Sequence, residues 1–426
     1  MRVLMFGWEF PPHIAGGLGT ACYGMTKGLA KSGVDVLFVM PSASGDEDQS
    51  SVRIINASDV AVYDTCHNVD EFLGKVDFLR VGTNLRPYVD PVSFSELVEE
   101  EQKFQAEEFK TYFKQKYKFS GKYGKNLMEE VSRYAMVAGA IAAENQFDVI
   151  HAHDWLTYLA GIAAKRVSGK PLVIHVHATE FDRSSSVNQE VFRLEKMGME
   201  EADRVITVSN LTRNIVINKY GIDASKVVTV HNAVDFSGRS AMSVQRGVKE
   251  KVITFLGRIT FQKGPEYFIE AAAKVLKMYP DVRFVMAGSG DMMNKCIRHV
   301  ARLGISNRFH FTGFLRGDDV QKMFSLSDVY VMPSVSEPFG ISPLEAMKTD
   351  VPTIISKQSG VAEVLKYAIK VDFWDIDALA DAMYALLNYD ALSKVAIEKG
   401  RAEVDALKWD AAAVKVKSVY EAAIRG

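Results

Sequence analysis

Short runs of Val, Ile, Leu and Phe recur along this 426-residue chain, each followed by a glycine-rich or polar loop and then by an amphipathic stretch of helical length. The runs are continuous rather than alternating, which marks strands covered on both faces, and their alternation with helices predicts doubly wound parallel sheets. The pattern occurs twice. The first series predicts strands at 3–6, 34–40, 148–151, 172–175, 205–208 and 227–230, the second at 252–256, 282–287, 309–312, 329–332, 353–356 and 368–371. Residues 237–251 carry Ser, Gly, Arg and Lys without a sustained apolar period and read as a linker. The expected organisation is an α/β chain with a Rossmann-like domain at 1–236 and a second at 252–405. Within the first, residues near 94–145 have Glu, Lys, Phe and Tyr at helical spacing, as expected of a helical insertion. The last segment, 406–426, is expected to be a helix crossing back onto the first domain.

Composition changes this picture little but excludes several classes. A chain of this length exceeds one comfortable core, and 48% hydrophobic with 24% charged residues is ordinary for a globular protein. A net charge of -2 supplies no general field for nucleic acid or an anionic membrane. Cys22, Cys66 and Cys296 are odd in number, far apart and without metal or disulfide spacing, so a reducing, cytoplasmic location is expected. The apolar opening MRVLMFG meets Trp8, Glu9, Pro11, Pro12 and His13 too soon for a signal segment, and no later apolar run is long enough to span a bilayer.

Candidate chemistry sits in the loops after the predicted strands. The first strand runs into Gly16, Gly17 and Gly19 before a helical stretch, where glycine backbone and a helix N-terminus suit a phosphate. The spacing is not GxGxxG, there is no Walker lysine, and a loop serving chain geometry alone fits equally. At the head of the second series, Gly257-Arg258 and Lys263-Gly264 form G-R-x4-K-G. A guanidinium and an ammonium on one loop suit a leaving diphosphate, the plain alternative being two solvated cations. After the strand at 329–332, Glu337-Pro338-Phe339-Gly340-Ile341-Ser342-Pro343-Leu344-Glu345 sets two carboxylates around a helix start, with prolines suited to its first turn. His151-Ala152-His153-Asp154-Trp155 ends a first-domain strand, where open α/β sheets bind ligands, and His153 is expected to be presented to the cleft, a structural histidine fitting equally. His175 and His177 repeat the placement one strand on, ahead of Ala178-Thr179-Glu180-Phe181-Asp182-Arg183. There Trp155 and Phe181 could offer apolar faces to a ligand, and Glu180 and Asp182 could accept hydroxyl hydrogen bonds; packing groups and caps are the alternative.

Taken together, these motifs resemble those of the retaining GT-B glycosyltransferases of family GT4 and the related glycogen and starch synthases, essentially end to end. G-R-x4-K-G and E-x7-E, in that order and spacing, carry most of the specificity. The resemblance implies two Rossmann-like domains facing a cleft and a nucleotide-diphosphate sugar as donor. It implies that Arg258 and Lys263 hold the diphosphate, with Gly16, Gly17 and the Phe339-Gly340-Ile341 backbone also on the donor, and that Glu345 binds the ribose. Glu337 would contact the transferred sugar, His153 would act at the reacting centre, and Glu180 and Trp155 would face the acceptor. Attack from the leaving-group face needs no covalent nucleophile, no cofactor and no catalytic metal. One departure is Ile14, where bacterial glycogen and starch synthases carry the lysine of Lys-x-Gly-Gly. It leaves UDP-glucose and ADP-glucose both open. HATEFDR at 177–183 resembles the members that handle polyglucan, which makes an α-glucan the expected acceptor.

Two other enzyme classes remain open. A GT4 enzyme acting on a lipid or envelope glycan would share every donor motif, and a basic amphipathic patch would mark it. A sugar-nucleotide epimerase would share the fold but not the E-x7-E pair. Outside enzymes, a non-catalytic nucleotide-sugar sensor could dispense with His153 and Glu337. Asp46-Glu47-Asp48 and Asp375-Ile376-Asp377 match the D-x-D of metal-dependent transferases, but a polar loop and a helix start explain them as solvated and capping acids.

Overall fold

The computed structural model describes the chain apart from residues 14–16, 64–113, 122–126, 184–185, 235–246 and 248. Gly16, most of the expected linker and much of the expected insertion at 94–145 lie outside the described residues.

Seven strands form one sheet: β1 (Arg2–Phe6), β2 (Asp35–Met40), β3 (Arg53–Asn56), β6 (Val149–His153), β7 (Leu172–Val176), β8 (Arg204–Thr207) and β9 (Val227–Thr229), in the order β3-β2-β1-β6-β7-β8-β9. The β2/β3, β1/β2, β1/β6 and β6/β7 pairings are parallel. Between β3 and β6, β4 (Ala61–Tyr63) and β5 (Lys114–Lys116) make a small antiparallel pair. A second sheet holds β10 (Lys251–Leu256), β11 (Val282–Ala287), β12 (Phe309–Gly313), β13 (Val329–Met332), β14 (Thr353–Ser356) and β15 (Ile369–Val371), all parallel, in the order β12-β11-β10-β13-β14-β15. Each order reverses direction once, between β1 and β6 and between β10 and β13. In doubly wound sheets the crevice at the carboxyl ends of those strands is where ligands bind.

Why these segments are strands is visible in their burial. Val3 to Phe6 in β1 have no exposed surface and every residue of β6 is buried, so both faces are covered and the apolar run is continuous. The sequence reading misses β3 because Arg-Ile-Ile-Asn offers two apolar residues on a half-exposed edge. It misses β4 and β5 because three-residue strands leave no periodicity.

By packing, the chain divides into two compact units: Met1–His175 with Met197–Val205 and Lys417–Gly426, and Val176–Lys196 with Ile206–Val416. In the first, the helix Leu127–Glu144 turns Tyr134 into the core, edge-on to Phe6, Trp8 and Phe119, and its hydroxyl donates to the Val39 and Gly7 carbonyls at 2.8 and 3.1 Å. That bond satisfies a buried polar atom that would otherwise cost free energy. The closing helix, Trp409–Arg425, contributes its second half to this unit: Lys417 Nζ donates to the Ser32 carbonyl at 2.8 Å and the Tyr420 hydroxyl meets His151 Nδ1 at 2.7 Å. In the second unit, Phe255, Phe268, Phe284 and Phe309 pack together across β10, β11, β12 and the helix Pro265–Met278. Among the described residues no helix is long and apolar enough to cross a membrane.

Candidate active site

In the second unit β10 ends at Leu256, and the Gly257 N–H donates to the Ala287 carbonyl at 3.0 Å, carrying the chain out over the neighbouring strand. Arg258 follows, exposed, its guanidinium 3.2 Å from the Gln262 side-chain carbonyl. A short 3-10 turn, Phe261–Lys263, leads to Gly264 at φ 65°, and Pro265 opens the next helix at the position where a missing N–H costs nothing. Gly264 is required twice over: its backbone is left-handed, and a Cβ there would sit 2.1 Å from the Pro333 carbonyl oxygen. This close approach presses the cation loop against the end of β13.

The acid loop starts there. Lys263 Nζ is ion-paired with Glu337 Oε2, and Ser334 Oγ donates to the same oxygen at 3.4 Å. The Glu337 N–H donates to the Gln358 carbonyl, its carbonyl accepts from Gly360, and the Phe339 carbonyl accepts from Val361 at 2.7 Å, so the loop is laced to the segment after β14. Phe339 is buried and Gly340 turns the chain at φ 101°. The helix Ser342–Lys348 has only seven residues, with Pro343 and a partly exposed Glu345 in its first turn. The structure therefore brings Lys263 and Glu337 into contact, with Arg258 on the loop of the first, Phe339, Gly340 and Ile341 on the loop of the second, and Glu345 in the helix that follows.

A third loop, absent from the sequence reading, supports the cation loop. A Cβ on Gly288 would meet the Gly257 carbonyl at 1.9 Å, and one on Gly290 the Ile259 carbonyl at 2.3 Å, while Ile259 N–H donates to the Ser289 carbonyl. The signal was present as Gly-Ser-Gly directly after the strand that ends at Ala287.

The HATEFDR segment, in the same unit, is built differently from the expectation. Glu180 is buried, accepting from the Asn188 N–H at 3.0 Å and lying 3.6 Å from Arg183, so its carboxylate is committed to its own loop and not open to an acceptor hydroxyl. Arg183 bonds Glu195 at 2.6 Å; burial raises the Glu195 pKa, against the pull of Arg183 and Tyr220. Asp182 accepts from the Thr179 N–H and hydroxyl and from Ser336 Oγ. Phe181 packs edge-on to Phe192 and Tyr220. Burial presses the half-buried His177 down to about 3, which keeps it neutral near neutral pH.

In the first unit, Gly17 starts the helix Gly17–Lys31 and is exposed, while the Gly19 N–H already has a carboxylate partner in buried Glu9, at 3.2 Å. His153 is not on open display as expected: its ring has no exposure, 4.1 Å from the ring centroid of His151 and 5.2 Å from that of His175. The cause is the strand itself, whose last residue is covered on both faces. The three histidines each bring a ring nitrogen within 4.8 Å of the others, and the His175 ring lies nearly parallel to both neighbours, at 18° and 28°. Asp154 turns the chain at φ 59°, and Trp155 opens the helix Trp155–Ser168, partly exposed. Of the D-x-D pairs, Asp375 caps the helix Ile376–Asn388 through the Ala378 N–H and Asp377 pairs with Lys274, while Asp46 pairs with His13 and Asp48 with Tyr23.

One further acid steadies the second unit. Glu363 accepts from the N–H groups of Asn210 and Leu211 at 2.9 and 2.8 Å and from His231 Nε2 at 2.7 Å, and the His231 ring lies 6.3 Å from Phe339. Partial burial pushes the Glu363 carboxyl up, but the His231 and backbone hydrogen bonds outweigh it and hold the pKa below the usual value. The folded carboxyl thus loses its proton at lower pH than the unfolded one, so the clamp stabilises fully above about pH 4.5 and progressively less as pH falls through that range. Thermal melts against pH are expected to show a shallower acid limb for Glu363→Gln than for the wild type, the two curves converging at low pH; parallel curves would refute the linkage.

Two doubly wound sheets, with a cation loop and an acid loop meeting at the switch point of one of them, define a GT-B glycosyltransferase. The sequence relationships are more specific. The chain belongs to the starch synthase catalytic domain family, whose model matches residues 2–230, and residues 241–403 match that of the glycosyl transferases group 1. Over its full length it is 28% identical to an uncharacterized glycosyltransferase of Methanocaldococcus jannaschii, covering 99% of that protein, and 23% identical to the glycogen synthase of Mycobacterium tuberculosis, covering 96%. Among solved structures, sucrose-phosphate synthase from Thermosynechococcus elongatus superposes with a TM-score of 0.70 at 18% identity, over 99% of this chain and 98% of that one. Anabaena HepE in complex with UDP and glucose gives 0.67 at 15%, over 99% and 100%. These structural likenesses speak to the fold.

Proposed function

We propose that this glycosyltransferase moves glucose from UDP-glucose or ADP-glucose to an α-glucan with retention of the α-anomer and without a catalytic metal. The observation that carries the reading is the contact of Lys263 with Glu337 at the β10/β13 switch point, in a chain of starch synthase type. An ammonium beside a carboxylate matches a donor whose diphosphate and transferred sugar adjoin. In this reading Arg258 and Lys263 neutralise the charge that develops on the leaving diphosphate, Glu337 contacts sugar hydroxyls, and Glu345 binds the ribose. Gly17 and the 339–341 backbone line the donor. His153 acts at the reacting centre from within its histidine stack, and Trp155 offers a ring face to the acceptor. Full-length similarity to a glycogen synthase supports a glucan acceptor.

A second reading has its own support. An Escherichia coli galactosyltransferase, named for a diphosphoundecaprenol-linked acceptor, is 28% identical over 59% of this chain, so a lipid-linked glycan is the alternative. Labelled UDP-glucose and ADP-glucose incubated with maltooligosaccharides are expected to yield a labelled chain that an α-1,4-specific glucosidase digests. Label entering a lipid fraction instead would replace the glucan reading. Transfer is expected to be unchanged by EDTA; loss of activity restored by magnesium or manganese would refute the metal-free mechanism.

A further inference from the structure

The carboxylate of Asp182 is 3% exposed and serves two loops at once. Oδ2 accepts from the Thr179 N–H and from Thr179 Oγ1, both at 2.8 Å, closing the turn that begins HATEFDR. Oδ1 accepts from Ser336 Oγ at 2.5 Å. Ser336 immediately precedes Glu337, in a stretch whose other bonds include those to the cation loop and to the segment after β14: the Val335 N–H to the Gln262 carbonyl, the Glu337 carboxylate to Lys263, and the Glu337 N–H to the Gln358 carbonyl. Ser336 is thus the point where the acid loop is tied to the HATEFDR turn rather than to another donor loop. A buried charged acceptor holding a hydroxyl is among the stronger and more directional hydrogen bonds, and it fixes the peptide of its donor.

We infer that Asp182 is a positioning residue for the transfer reaction: through Ser336 it sets where the Glu337 carboxylate stands, so that the donor sugar is correctly held only when the HATEFDR turn is in place. The inference rests on the proposed glucosyl transfer and on Glu337 contacting the transferred sugar. It assigns Asp182 no contact with substrate. Because Arg258, proposed to hold the diphosphate, is bonded to Gln262 instead, loss of this bond should affect turnover more than binding of the nucleotide.

The test uses the full-length protein with Ser336→Ala, Ser336→Thr and Asp182→Asn, each alone, and Ser336→Ala combined with Asp182→Asn. Kinetics with labelled nucleotide sugar and maltooligosaccharide are run beside calorimetric binding of UDP and ADP. Ser336→Ala is expected to lower kcat about tenfold, since small misplacements of a positioned group are costly, with KM for the donor and affinity for the diphosphate within about twofold. Ser336→Thr, which keeps the hydroxyl, should recover most of the rate. Adding Asp182→Asn to Ser336→Ala should cost little more than the worse single change, because both break one link. Wild-type turnover in Ser336→Ala would overturn the inference, as would losses that multiply in the double variant. Should Asp182→Asn fail to fold, Ser336→Ala against Ser336→Thr decides alone. A wild-type protein that transfers nothing from either nucleotide sugar would instead overturn the functional reading beneath it.

Discussion

Lys263→Ala is expected to lower kcat by about a hundredfold or more, the usual loss when a preorganised charge at the leaving group is removed. The argument combines its place and its partner. Lys263 sits on the loop after β10 at the switch point, and its ammonium is paired with Glu337, whose side chain is only 9% exposed. Removing the ammonium deprives a departing diphosphate of a cation and also strands the Glu337 carboxylate, costing about 1–3 kcal/mol of stability. Arginine would not substitute fully, because a planar fork cannot occupy the position of a compact ammonium against one carboxylate oxygen. Arg258→Ala is expected to show a similar rate loss with no stability loss, since Arg258 is exposed and, among the described residues, hydrogen-bonds only Gln262. Steady-state kinetics beside thermal melts separate the two. Near-wild-type rates in both variants would remove the diphosphate assignment.

The second large effect is structural. Gly264→Ala places a Cβ 2.1 Å from the Pro333 carbonyl oxygen, on a residue whose φ of 65° already disfavours any side chain. The left-handed conformation costs about 1–2 kcal/mol for a non-glycine residue and forced overpacking about 1–3 more. The backbone atom cannot swing aside as a side chain would, so the cation loop must lift from the end of β13. A fall in Tm of about 5–10 °C is expected, together with loss of nucleotide-sugar binding. Gly304→Ala, at φ 70° with open space around it, is the control: it should carry the conformational cost without the loss of binding. Equal effects on binding would show that close packing at Gly264 is irrelevant to the site.

Much of the architecture was legible in the residues. Continuous apolar runs such as Val3 to Phe6 and Val329 to Met332 announced buried parallel strands because a strand covered on both faces has no use for alternation. G-R-x4-K-G and E-x7-E were legible because charge and backbone turns are local properties: Gly264, Gly340 and the prolines at 265 and 343 are required by the conformation of their own neighbours. The burial of His153 and the engagement of Glu180 were not legible, nor was the support that Gly288 and Gly290 give the cation loop. The first and last depend on which strands lie side by side, an order that a pattern of apolar and polar positions does not encode, while Glu180 is held by the fold-back of its own segment onto Asn188 and Arg183.

By itself, then, the sequence determined the two series of buried strands, the loops that follow them and the charged groups those loops carry. The tertiary structure decided which groups meet. Lys263 finds Glu337 because β10 and β13 are neighbours, although 74 residues separate the two side chains, and Asp182 reaches Ser336 across 154. Local conformation follows from the torsional and solvation preferences of adjacent residues, whereas a contact over such separations exists only once the burial of both sheets has offset the entropy of closing the intervening chain.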